Sequence, residues 1–262
     1  MTQIRSDWIS VGTRRPCGYH GAMRWLVPLA IAGAGCASAG KGNSIIGGLT
    51  DAGLDGRGSS TNNFPEPDAA LIDAPPQQIT LAQGADTITR DNSIVCFNDR
   101  TGNTLANTYV RVFSLDDFSV TSPLHVTQVD FGIELADAGP GALMQPAQVT
   151  IGSYGDTPGT TLDVAQLTAI QRADIMIADG SGTRMTVPIT ADLRPGARLV
   201  VELALPDGDD AGSSFVIGSN TEGQKQPGYL SAPDCELNSP TAIDTLTARE
   251  VDVVMSVTGT TP

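Results

Sequence analysis

Imidazole and thiol are the scarce reactive groups of this chain. It has two histidines, His20 and His125, and four cysteines, Cys17, Cys36, Cys96 and Cys235. A Ser-His-Asp relay needs one imidazole as general base, and His125 by itself could supply it. No G-x-S-x-G elbow accompanies it, so His125 reads as a partly buried histidine in a strand. Zinc usually takes several His or Cys ligands, and the chain has too few to spare. A phosphate loop of the G-x-x-x-x-G-K-[ST] type and a G-x-G-x-x-G opening a helix are both missing. Carboxylates are plentiful, with 29 Asp and Glu, and a glycosidase needs only two. Sugar platforms are scarce, however. Both tryptophans, Trp8 and Trp25, lie near the N-terminus, and Tyr109, Tyr154 and Tyr229 are scattered. A carboxylate-dependent, glycosidase-like hydrolase is therefore the alternative reading, and no catalytic residue is assigned.

Two other constellations stand out. Asp207, Asp209 and Asp210 lie in an Asp-Gly-Asp-Asp-Ala-Gly-Ser turn. They could offer oxygens to calcium, which wants six to eight. The turn lacks the later Glu of an EF-hand loop, so a solvated acidic turn is the plainer reading. No other metal or cofactor is expected. Asn220, Gln224, Lys225, Gln226 and Tyr229 form a polar segment punctuated by Gly and Pro. Such loops at the end of a sandwich often carry binding groups.

The elements that must hold these residues are strands. Leu199, Val201, Leu203 and Leu205 alternate with Arg198, Val200, Glu202 and Ala204. Period-2 patterning of this kind means a strand with one buried face. In the run from Leu124, the period places His125, Thr127, Val129, Phe131 and Ile133 on one face. It places Leu124, Val126, Gln128 and Asp130 on the other. Similar runs occupy 93–98, 109–115, 147–154, 169–178, 184–190, 214–219 and 251–258. Turn signals such as Asp-Gly and Gly-Pro pairs separate them. A short helix or turn is expected around 162–170, with Leu162, Ala165 and Leu167 inward. This spacing predicts an all-β fold, an antiparallel and jelly-roll-like sandwich, over residues 86–262. Strand-helix alternation is not seen, which disfavours a doubly wound or barrel α/β architecture.

The N-terminus reads as an address. Arg14, Arg15 and Arg24 precede the apolar run Leu26 to Gly35. That is the form of a secretory signal, and the run is too short to span a bilayer. Either Met1 or Met23 could start it. Gly33-Ala34-Gly35-Cys36 resembles a lipoprotein signal, with Gly33 where Leu is usual and Cys36 as the residue to be acylated. Ala37-Ser38-Ala39 offers a competing signal-peptidase site. With Ala37 and not Asp after the cysteine, sorting to an outer membrane is the expectation, with secretion the alternative. Residues 36–85 are rich in Gly, Ser, Asn, Asp and Pro, lack any period, and read as a flexible tether.

Charge and cysteines agree with export. The formal net charge is -14, and phosphate binding needs clustered Lys and Arg, so nucleic acid is excluded as a partner. Residues 1–35 carry four arginines and one aspartate, so their removal leaves the remainder more acidic still. With Cys17 removed and Cys36 acylated, Cys96 and Cys235 remain, and one pair in an exported chain reads as a disulfide.

Several segments carry a resemblance. They are Ser93-Ile94-Val95-Cys96, Tyr109-Val110-Arg111-Val112-Phe113, Val129-Asp130-Phe131-Gly132, Leu199-Val200-Val201-Glu202, Val253-Val254-Met255, and Phe215 to Gln224 with Pro227 to Cys235. Over roughly 90–258 the chain resembles a β domain that recurs in secreted bacterial proteins. That domain stands alone behind a lipoprotein signal or is appended to extracellular proteases. The resemblance implies a secreted accessory β-sandwich and brings no catalytic residues. The combined expectation is an envelope-anchored lipoprotein with a non-catalytic sandwich. Its expected partners are the membrane, through the lipid, and a polysaccharide or envelope protein, through the domain. A purely structural accessory module without ligand is the remaining alternative.

Overall fold

The computed structural model describes residues 2–5 and 75–262. Among them fifteen strands follow one another. The first are β1 (Thr2–Arg5), β2 (Gln77–Ala82), β3 (Val95–Asn98), β4 (Asn107–Ser114) and β5 (Leu124–Asp137). Next come β6 (Met144–Tyr154), β7 (Leu167–Ala178), β8 (Gly180–Leu193), β9 (Arg198–Leu205) and β10 (Ser214–Ile217). The last are β11 (Ser219–Asn220), β12 (Gly228–Ala232), β13 (Leu237–Ala242), β14 (Asp252–Val253) and β15 (Met255–Thr261). The only helical turns among the described residues are four short 3-10 segments. None of these is long and apolar enough to cross a membrane.

Two antiparallel sheets carry the fold. The larger has the order β13-β12-β4-β9-β6-β7. In the smaller, β5 pairs with β8 along one edge. Its other edge is shared by β15, over His125 to Phe131, and β10, over Ile133 to Asp137. β2 then closes the sheet beside β15. Inward residues of both sheets form one core. Tyr109, Phe113, Val149 and Val201 of the larger sheet share a cluster with Leu81, Val129, Phe131 and Val257 of the smaller. The period-2 alternation read for β9 holds, with Leu199, Val201 and Leu203 fully buried. A second cluster of Val110, Val112, Tyr154, Leu162, Val200 and Tyr229 lies on the opposite face of the larger sheet.

The predicted all-β sandwich is therefore what forms, with three local corrections. Gln77–Ala82 lies within the stretch read as a tether, yet it is a strand paired to β15 through six register positions. Its polar sequence gives little period because it is an edge strand that buries mainly Leu81. Second, β5 carries a bulge between Val126 and Gln128. One extra residue reverses the facing of everything beyond it. Leu124 and Val126 thus point inward together with Val129 and Phe131, and His125 points outward and is exposed. The expected partly buried His125 is corrected accordingly. Third, Val164–Gln166 is a 3-10 turn with Ala165 exposed, and Leu167 already begins β7.

The expected disulfide joins Cys96 and Cys235. It fastens β3 to the 3-10 turn Pro233–Cys235. β1 pairs with β3 from Arg5 opposite Val95 to Thr2 opposite Asn98. Cys36, the expected acylation site, lies outside the described residues.

Candidate functional site

Strand register on the smaller sheet places polar side chains in rows across its outer face. One row is Ala82, Ser256, Asp130 and Thr186. The next is Thr80, Thr258, Gln128 and Pro188. The third is Gln78, Thr260, His125 and Asp192. Alternation explains why they face outward, since their neighbours Leu81, Val257, Val129 and Val187 are buried.

These side chains are tied to one another. Asp130 accepts from Gln128 Nε2 at 3.0 Å and from the Thr186 hydroxyl. The hydroxyls of Thr80 and Thr258 are 3.3 Å apart. Arg184 pairs with Asp86. At the far end of the face, His125 Nδ1 meets Asp192 Oδ1 at 2.7 Å, with half of the imidazole exposed.

A groove of about 620 Å³ runs over the first two rows. Thr80, Asp86, Asp130, Arg184, Thr186 and Thr258 are among the residues that line it. No aromatic ring is among its lining residues. The segment after β2 forms one wall, and Asn220 holds it in place. Asn220 Nδ2 donates to Ala85 O at 3.0 Å and to Thr87 O at 3.1 Å. Close backbone approach shapes the floor: Gly132 N–H donates to Val254 O, Val254 N–H to Gly218 O, and Gly218 N–H to Gly132 O. A Cβ on Gly218 would stand 2.8 Å from the Gly132 carbonyl carbon, so only glycine fits where β10 gives way to β15.

The candidate loop is placed quite differently. Asn220 and Tyr229 are buried. Tyr229 donates its hydroxyl to Gly159 O at 3.0 Å, and burial raises its pKa to about 12. Gln224 Oε1 and Gln226 O both accept from Arg111 Nη1, at 2.6 and 2.7 Å. Lys225 Nζ lies 4.6 Å from the centre of the Phe118 ring. The loop is brought together by Arg111, a guanidinium buried within the sandwich. Arg111 Nη2 also reaches Val253 O at 2.6 Å and so joins the loop from β4 to β14. Burial lowers its pKa to about 10, an effect opposed by Asp252 and Tyr229. It stays charged at neutral pH.

The acidic turn is tied by its neighbours. Asp209 accepts from Asn98 Nδ2 at 2.7 Å and from the Thr101 hydroxyl at 2.5 Å. These bonds hold its carboxyl below the usual range. Asp207 Oδ1 accepts from Asp209 N–H. No group of three or more His, Cys, Asp or Glu among the described residues could hold a metal ion.

The sequence reading did not single out Thr80, Asp86, Asp130, Arg184 or Thr186 as a group. Gln128 and Asp130 were visible as one side of an alternating strand. Their meeting with Thr186 and Arg184 depends on pairing between strands more than fifty residues apart.

Comparison with known proteins adds little to this geometry. No family model matches the chain, and no curated protein does. Among solved structures, the chain is similar to the cysteine protease and lectin-like domains of Cwp84, a surface-layer-associated protein of Clostridium difficile. That likeness has 14% identity and a TM-score of 0.46, over 71% of this chain and 36% of that one. It is also similar to the clostridial cysteine protease Cwp84 after propeptide cleavage. There the identity is 16% and the TM-score 0.41, over 61% of this chain and 37% of that one. The chain thus spans little more than a third of the length of either.

Proposed function

We propose that this chain is an extracytoplasmic binding module without catalytic activity, and that the polar face of its smaller sheet takes a polysaccharide. The observation that carries this reading is the rows of hydroxyl, amide and carboxylate groups around Asp130, flanked by Arg184. Sugar hydroxyls both donate and accept. Thr80, Thr258 and Thr186 can do either, carboxylates accept, and Arg184 donates. Bonds to the charged groups are the stronger ones. With no ring in the groove, recognition is by hydrogen bonding along the edges of the sugars and not by stacking. A lipid at Cys36 and a tether would hold the module at the envelope.

The test is a glycan array with the full chain, followed by titration of the polysaccharide that binds. Asp130→Ala and Arg184→Ala should each weaken binding about tenfold, which corresponds to one lost charge-assisted hydrogen bond. Lys225→Ala should leave it unchanged. Loss of binding on Lys225→Ala alone would transfer the site to the loop. A blank array together with a blank pull-down from envelope fractions would overturn the binding reading. One observation favours a second reading: Asp86 and Asp130 line the same groove. Turnover of a bound polysaccharide that disappears in Asp130→Asn would identify the module as a hydrolase.

A further inference from the structure

Strand edges that end a sheet are usually blunted, because their unpaired N–H and C=O groups invite another strand. Most edges of this sandwich are. β8 carries Pro188 and opens on Gly180 and Gly182, and β13 carries Pro240. β2 follows Pro75 and Pro76, and β10 has four residues.

β7 is the exception. It ends the larger sheet and pairs only with β6. It runs for twelve residues, LTAIQRADIMIA, without proline or glycine. Its exposed apolar side chains are Ile170 and Met176, at 43% and 51% of their full areas. Ala173 and Ile175, which pack on the core, are only partly buried.

The sequence of this strand is complementary to itself. If two copies of β7 pair antiparallel about a two-fold axis at Ala173, Arg172 of each stands opposite Asp174 of the other. Ile170 of each then stands opposite Met176 of the other, and Gln171 opposite Ile175. Both charges lie on the outer face of the sheet, since Arg172 pairs in register with Thr150 and Asp174 with Gln148 on β6. Shifting the register by two residues about the axis either way removes both Arg–Asp pairs. The strand therefore specifies one alignment. β7 bulges where Ile151 gives way to Gly152 on β6, which ends the regular ladder near Ile170 and limits the pairing to the segment from Ile170 to Met176.

We infer that β7 is a homodimer edge, at which a second copy of this chain extends the six-stranded sheet into a continuous twelve-stranded one. The two-fold is isologous, so the edge closes on itself and does not propagate into a filament. The inference does not depend on the polysaccharide reading, because the groove lies on the other sheet.

Sedimentation velocity of the full chain across a concentration series tests it. The wild-type chain should show a monomer–dimer equilibrium. Arg172→Asp and Asp174→Arg each place like charges opposite one another twice, and each should raise the dimer dissociation constant about tenfold. The double variant Arg172→Asp/Asp174→Arg restores both pairs and should restore association. A wild-type chain that stays monomeric throughout overturns the inference. So does a dimer that is indifferent to the single charge changes, or a double variant as weak as the singles.

Discussion

Glu202 shows how a single side chain can be out of step with its surroundings. It belongs to the outward set of β9, yet it is partly buried. Burial raises its carboxyl above the ordinary value of 4.5, with Arg172 opposing the shift. A carboxyl whose pKa is raised on folding binds its proton more tightly in the folded chain than in the unfolded one. Its favourable contribution is therefore complete below the ordinary value and is lost as pH rises through the raised one. Glu202→Gln should accordingly raise the melting temperature at pH 7. The gain should vanish below the ordinary carboxyl value, where both side chains are neutral. Thermal unfolding of the two chains at both pH values checks this. Arg111 is the contrasting case: its charge is buried more deeply, but three acceptors meet its two terminal nitrogens and offset part of the cost of burial.

At the scale of elements, the loop from β11 to β12 and the short β3 have few ladder bonds of their own. Arg111 ties down the first. The second is held by the disulfide to Cys235. That bridge closes a loop of 139 residues, and constraint of the unfolded chain by a loop of this size is worth at most about 5 kcal/mol. Replacing both cysteines by alanine should lower the unfolding free energy by roughly 3–5 kcal/mol, as measured by denaturant titration. A loss below about 1 kcal/mol would show that β3 is held by packing alone. The bulge in β5 acts at the same scale. One extra residue at Thr127 keeps Leu124 and Val126 in the core while aligning His125 with Asp192, and no substitution of either side chain could accomplish that.

For the whole molecule, the proposed ligand face and the proposed dimer edge lie on different sheets. The smaller sheet presents the polar groove, and the larger presents the open edge at β7, so ligand and second copy need not compete. A dimer would set two grooves on one scaffold, and two linked sites bind a polymer more tightly than one. The proposed lipid attachment is a whole-chain property as well. Cys36→Ala should move the protein from the membrane fraction to the soluble fraction of the bacterial cell, read by fractionation and immunoblot. Continued membrane attachment would mean that something other than an acylated Cys36 holds it there.

Much of this was written locally in the chain. Alternation along β9 and similar runs, with turn pairs between strands, determined an all-β sandwich. A lone cysteine pair beyond an export-like N-terminus determined the disulfide. These signals depend on near neighbours and composition, and a burial period of two survives wherever a strand meets a core. The tertiary structure decided what depends on alignment between distant strands. Period alone misassigned the start of β5 because a bulge is invisible until its partner strand is in place. Gln77–Ala82 became a strand because β15 was there to pair with it. The polar loop around Asn220 turned inward because Arg111, more than a hundred residues earlier, lay beneath it. Asp130, Thr186 and Arg184 became one site only through register, which is set by long-range pairing and not by the residues on either strand alone.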